Sequence, residues 1–427
     1  MNTPLPYQRR IVDDELDELL GELAAIAIEG PKGVGKTRTA LRRANTVNRL
    51  DDPAELAVAE ADPARLLEGE RPVLIDEWQR LRQVWDLVRR AVDDGAPPGS
   101  FLLTGSALPD PPPTHSGAGR IVSVRMRPLA LSERLQTASV SLSELLSGAR
   151  SRVTGETDVA VTDYTEEILA SGLPGLRRLS GRARRLQLEG YVDRIVDRDI
   201  PDDAGAVIRN PSALRRWMAA YAAASSTTAT FETIRDAASA GHEHKPSRNA
   251  TQAYRDALTR VWLLEEVPTW IPSNNRLREL GQAPKHQLAD PALAGQLLGV
   301  QTTTLLAGQS SGPAVPRDGT LLGALFESLV TLSVRVYATR SEAKVSHLRT
   351  ARGRQEVDLI VERADGNVVA IEVKMARSVS RDDGKHLRWL KAKLGDRVLD
   401  QVIVTTGPTA YRREDGIAVV PLALLGP

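Results

Sequence analysis

Residues Gly30 to Thr37 read GPKGVGKT and follow the spacing G-x-x-x-x-G-K-[ST] without a gap. Those residue types together hold a phosphate chain. The glycines (Gly30, Gly33, Gly35) let the backbone turn tightly, so that the N–H groups of the loop, Pro31 excepted, point inward at an anion while Lys32 and Val34 fill the variable positions. Lys36 reaches the outer phosphates. Thr37 offers a hydroxyl to a magnesium ion, and a helix that starts here, with Arg38 in its first turn, aims its positive end at the same charge.

About forty residues on, the apolar run Pro72 to Ile75 ends in Asp76 and Glu77. An acid at the carboxyl end of a buried strand holds magnesium, and the acid after it polarises the water that attacks the terminal phosphate. Phe101 to Ala107 (FLLTGSA) supplies a third strand whose polar end carries Thr104 and Ser106 toward the same phosphates. After a proline-rich loop, Arg120 is a candidate arginine finger for a neighbouring subunit's nucleotide, which makes a homo-oligomer the expected assembly.

A second set of acids lies far along the chain. Asp358 in EVDLIVE, with Glu372 and Lys374 in IEVK and Glu327 in a preceding helix, form the constellation of a magnesium-dependent nuclease. Two carboxylates, Asp358 and Glu372, would share the ion while the lysine steadies the attacking hydroxide. Glu372 and Lys374 share a strand face. A two-residue Asp365-Gly366 loop would pair Asp358 with Val373 and turn it away, whereas a three-residue Ala364-Asp365-Gly366 loop pairs it with Glu372. The three-residue form has a physical basis, because Gly366 stands where a left-handed residue is needed. Other E-x-K triplets, Glu243 to Lys245 and Glu342 to Lys344, lack this setting.

These residues need scaffolds. From Pro4 to Glu133, strands such as Leu23 to Ile28 alternate with helical stretches, the pattern of a parallel sheet covered by helices on both faces. The chain then turns helical and charged, with Arg177, Arg178, Arg182, Arg184 and Arg185 crowded together. Three short helices over 211–224, 230–240 and 249–261, followed by a hairpin, give the layout of a winged helix. Arg248, Gln252 and Arg255 would face DNA from its third helix, with Arg276 and Arg278 on the wing. A proline- and glycine-rich break from Gly308 to Gly319 precedes the last unit. The expected division is 1–135, a P-loop α/β core; 136–205, a helical lid or linker; 206–307, a winged-helix domain; and 316–427, an α/β nuclease-like domain.

Composition narrows the possibilities. With 56 Lys and Arg against 55 Asp and Glu in 427 residues, nucleic-acid contact has to come from local patches rather than global attraction. The absence of Cys excludes disulfides and thiol chemistry. His242 and His244 flank Glu243 in a polar stretch and read as solvated. Charges near the start exclude a signal peptide, and no stretch reads as a membrane span, so a cytoplasmic protein without membrane contact is expected.

Across nearly its whole length the chain resembles the prokaryotic AAA+ ATPases that carry a C-terminal domain of uncharacterised function with a nuclease-like PD-(D/E)XK fold. YQRRIVDDEL is similar to the family's opening segment, LIDEWQ to its Walker B strand, LLTGSA to its sensor strand and RPLALSE to its "PLS-x-x-E" run. ASGLPGL, YVDRIVDRDI and PKHQLADPALA are similar to its glycine-proline element, its "R-D-I" helix and its "P-K-x-x-x-x-D-x-G-L" strand, with Ala292 in place of the usual glycine. The resemblance implies ATP and Mg2+ as ligands and ATP hydrolysis as the activity. Two functions fit: an ATP-dependent protein that processes DNA, or a nucleotide-switched DNA-binding or toxin-like regulator whose nuclease-like domain does not cut.

Overall fold

The computed structural model describes residues 7–109, 116–149, 151–203, 208–241, 245–271, 283–309, 312–317, 319–350 and 353–427. Arg276, Arg278, His242, Glu243 and His244 lie outside the described residues.

β1 (Ala25–Glu29), β3 (Val73–Asp76) and β4 (Phe101–Gly105) are buried along their whole length, as strands covered on both faces must be. With β2 (Thr46–Arg49) and β5 (Val122–Arg125) they form a parallel sheet in the order β2-β3-β4-β1-β5. β4 separates β1 from β3. The carboxyl ends of all three therefore open on one edge, where ligands of parallel sheets collect.

The stretch expected to be a helical linker is not wholly helical. β6 (Val140–Ser141) and β7 (Gly155–Glu156) leave the first module and join strands at the far end of the chain. Two-residue strands carry no periodicity, so only their distant partners define them. The helices Val161–Ala170 and Gly181–Arg194 follow, the latter running through a π-helical turn at Ile195–Asp199.

The three helices of the middle module are Pro211–Ala223, Phe231–Ala237 and Arg248–Arg260. Each begins at a residue whose side chain accepts a backbone N–H, Asn210, Thr230 and Ser247 respectively, satisfying a donor that the helix leaves unpaired. Antiparallel bridges Leu264–Leu288 and Val267–Lys285 follow them.

The last module builds a mixed sheet from β8 (Lys344–Arg349), β9 (Glu356–Glu362), β10 (Val368–Lys374), β11 (Val398–Thr405), β12 (Thr409–Arg412) and β13 (Ala418–Pro421). Their order is β7-β12-β13-β11-β10-β9-β8, and β14 (Leu425–Gly426) pairs with β6. The helix Leu321–Thr339 is long and apolar enough to cross a membrane, contrary to the sequence expectation, with a mean hydropathy of 1.4. Its apolar window is 78% buried, and it packs as a core helix. From it Ser333 and Tyr337 accept the backbone N–H groups of Leu131 and Ser132, and Arg335 reaches Glu265 of the middle module. Glu265 also takes Arg125 and Arg127, so one buried carboxylate joins all three modules. Burial alone would raise its pKa, but the three guanidiniums outweigh that and hold it far below the carboxylate range.

Candidate nucleotide site and a second acid cluster

The loop from Gly30 to Thr37 leaves β1 and passes so close to Met126 that a Cβ at Gly30 would stand 2.2 Å from that residue's carbonyl oxygen. Lys36 is buried at the rim and donates to the carbonyls of Gly30 and Pro31 at 2.8 and 3.0 Å. Burial lowers its pKa to about 8. Arg10 braces the loop from behind: Nη1 donates to Val34 O at 3.0 Å, while Nε pairs with Glu133 at 2.9 Å. The opening segment and the RPLALSE run thus interlock beneath the loop.

Thr37 Oγ1 donates to Asp76 Oδ1 at 2.8 Å, and Thr104 donates to the same oxygen. Thr104 consequently serves Asp76 and not the cleft, whose lining does not include it. Burial raises the Asp76 pKa. A hydroxyl and a carboxylate in contact at the carboxyl edge of the sheet fit magnesium, which Thr37 and Asp76 would hold. Glu77 takes a left-handed backbone, φ 56°, and its Oε2 accepts from Ser106 Oγ at 2.7 Å and Gln79 Nε2 at 2.5 Å. Those two partners fix the carboxylate facing the cleft. Gln79 carried no sequence signal beyond its place two residues after the acid pair.

The cleft has a volume of about 470 Å3 and is walled by Tyr7, Gln8, Pro174 and Gly175, besides the loop, Arg38 and Glu77. Arg177 and Arg178 also line it, although Arg177 is held at 2.8 Å by each oxygen of Glu167. Arg182, Arg184 and Arg185 instead line a separate pocket, so the expected arginine patch is divided. Lys32, inside the loop, pairs with Asp199 and Asp203 at 2.7 and 2.6 Å, and its carbonyl accepts from Tyr191 at 3.0 Å. The helical lid is thereby wired to the phosphate loop. Asp199 lay in the "R-D-I" run, the one signal that could have found this contact.

Arg120 is half exposed at the amino end of β5, away from the loop, and pairs with Asp93 at 2.7 Å. Arg255 does not project toward solvent as a DNA-reading residue would: its guanidinium lies 3.4 Å from the Phe231 ring centroid and near Glu266. Arg248 is exposed beside Glu232, and Gln252 donates to Asp256.

In the last module β9 and β10 pair Leu359 with Ile371 and Glu362 with Val368, and Arg363 N donates to Asn367 O. The loop is therefore the three-residue Ala364-Asp365-Gly366, with Gly366 at φ 80°. This register sets Asp358 opposite Glu372. Lys374 Nζ stands 3.6 Å from Glu372. Lys285, from the middle module, was not among the expected site residues, although it is the Lys of the "P-K-x-x-x-x-D" run. Its Nζ lies 2.8 Å from Asp358, 2.9 Å from Glu327 and 3.1 Å from Glu356, and its side chain is 2% exposed. Burial opposes its charge, yet Asp358, Glu327 and Glu356 hold its pKa well above the usual value. Burial and the neighbouring Asp358 push Glu372 well up. Among the described residues no group of three His, Cys, Asp or Glu is placed to hold a metal ion. The arrangement does not fit the divalent ion expected at Asp358 and Glu372, because an ammonium already stands among the acids.

Residues 23–135 match the family described as an AAA domain. The first module is thus similar to AAA domains over the residues that carry the phosphate loop and Asp76 and Glu77. Beyond the AAA domain, residues 161–304 and 322–425 match two domains of unknown function, DUF8612 and DUF4143. The uncharacterised proteins Rv2008c of Mycobacterium tuberculosis and Mb2031c of Mycobacterium bovis are each 24% identical over 426 residues, covering 97% of this chain and 83% of theirs. Among solved structures, the Walker-type ATPase PABY2304 of Pyrococcus abyssi is 17% identical over 69% of this chain and 99% of its own, with a TM-score of 0.41.

Proposed function

We propose that this chain binds ATP with magnesium at the AAA domain and hydrolyses it, using Glu77 as general base, and that the nucleotide state is passed to the other modules as a switch. The observation that carries this is the Thr37–Asp76 contact beside a Glu77 carboxylate held by Ser106 and Gln79. The backbone of the loop and Lys36 would take the phosphates, and bound magnesium would offset their charge. Lys32, joined to Asp199 and Asp203, is the route by which the lid would follow the loop. The test is single-turnover hydrolysis with Glu77→Gln, which should bind ATP and fail to turn it over. Parent-like turnover would remove Glu77 from the role.

A second reading, a magnesium-dependent nuclease acting on DNA, is favoured by the register that sets Asp358 opposite Glu372 near Lys374. The non-cutting reading is preferred because the Lys285 ammonium already pairs with Asp358, Glu327 and Glu356. Incubation with linear and circular DNA, with and without ATP and Mg2+, separates them: strand breaks lost in Asp358→Ala would restore the nuclease. Self-association through Arg120 requires the Asp93 pair to open, and sedimentation with a bound ATP analogue tests it. A monomer there would end that role.

A further inference from the structure

We propose that Lys285 is the resident cation of the C-terminal acid cluster, standing where a divalent ion would otherwise bind, and that it excludes Mg2+ and Mn2+ from that site while the middle module is docked. This inference is independent of the ATPase reading. An ammonium has three donors, and here three carboxylates, Glu327, Glu356 and Asp358, stand within 3.1 Å of Nζ. The donor set is filled. A hard divalent ion would need the same oxygens at about 2.0–2.6 Å, and it could gather them only by displacing a cation that is 2% exposed and tethered by its own backbone.

The tether is firm. Lys285 N donates to Val267 O, Val267 N donates to Lys285 O, and Lys285 is flanked by His286, which reaches Ala229 O at 2.7 Å. The cation thus belongs to the middle module while the acids belong to the helix Leu321–Thr339 and to β9. Their meeting is a contact between modules as much as a site. The fourth acid, Glu372, shows what is left over. Its Oε2 stands 3.6 Å from Lys374 Nζ, and its buried Oε1 has no hydrogen-bond partner among the described residues.

Mn2+ binding to the full chain without nucleotide, read by electron paramagnetic resonance, tests the proposal. The parent and Glu372→Gln should bind Mn2+ alike, since the acid cluster takes none in either. Lys285→Met should gain one Mn2+ per chain, bound about tenfold or more tighter than by the parent, and Lys285→Met/Asp358→Asn should lose most of that gain. A parent site that Glu372→Gln weakens would overturn the proposal, and so would a folded Lys285→Met that gains no ion. Should Lys285→Met fail to fold, the comparison of the parent with Glu372→Gln decides by itself.

Discussion

The two acid-bearing sites of this molecule solve opposite problems. At the AAA domain Glu77 faces a cleft of about 470 Å3, and the surrounding groups are donors aimed at a ligand that brings negative charge. At the C-terminal sheet the acids also line a cavity, of about 630 Å3, yet they are answered from within, by Lys285 and Lys374. Both sites hold a buried lysine, and their directions differ. Among the described residues Lys36 donates only to carbonyls, and burial draws its pKa down to about 8, whereas Lys285 meets three carboxylates that hold it well above the usual value despite burial. A lysine poorly compensated in the protein awaits an anion; a fully compensated one has found its partners.

The sharpest break between them is Lys36→Ala. It should weaken ATP binding by about a thousandfold or more, measured by calorimetry, while leaving the melting of the C-terminal module unchanged. Glu77→Gln comes next: binding persists and hydrolysis falls by about a hundredfold or more, read from single turnover. Retention of both binding and turnover in Lys36→Ala would mean that the cleft walled by Tyr7 and Pro174 is not the nucleotide site.

Asp358→Ala should act on the other side of the comparison. Removing one partner of a buried lysine costs about 3 kcal/mol, the low end for a broken buried pair, because Glu327 and Glu356 remain. Denaturant unfolding should show that loss with ATP hydrolysis nearly intact. A stability equal to the parent would mean that Lys285 does not depend on Asp358.

How far the sequence reached follows from the range of the interactions. The phosphate loop, Asp76 and Glu77 are local patterns ending buried strands, and the parallel sheet that carries them follows from alternating elements. The three-residue loop at Gly366 was readable for the same reason, since turn chemistry sets register over a few residues. Lys285 was not. It lies 73 residues from Asp358 and 42 from Glu327, in an isolated bridge with no periodicity of its own, and its role exists only once two modules meet. Arg255 misled because an arginine on an exposed-looking helix face and one stacked on Phe231 have the same sequence signature. β6 and β7 were hidden because strands of two residues are specified by partners some 250 residues or more away.

The smallest expected effect uses pH to probe the surroundings of the acid cluster. His347 Nε2 donates to Ala283 O across 3.0 Å, and burial, aided by the charge of Lys285, lowers its pKa to about 4. An imidazole facing a carbonyl is the donor, so the neutral ring bears its proton on Nε2. The folded state then binds fewer protons than the unfolded chain between an ordinary value near 6.5 and about 4. Stability from this group is fully present above pH 6.5 and is lost as pH falls through that window. Glu327 runs the other way: burial raises it to about 8, so its contribution is present below its ordinary value of 4.5 and is lost as pH rises toward 8. Absolute melting curves therefore mix two opposing slopes. The difference between the parent and His347→Gln isolates one of them. That difference should be constant above pH 6.5 and shift against the parent by roughly 2–4 °C or more between pH 6.5 and 4.5. A difference that stays flat across the window would mean that His347 is not held neutral beside Lys285, and that the acid cluster carries less positive charge than its contacts imply.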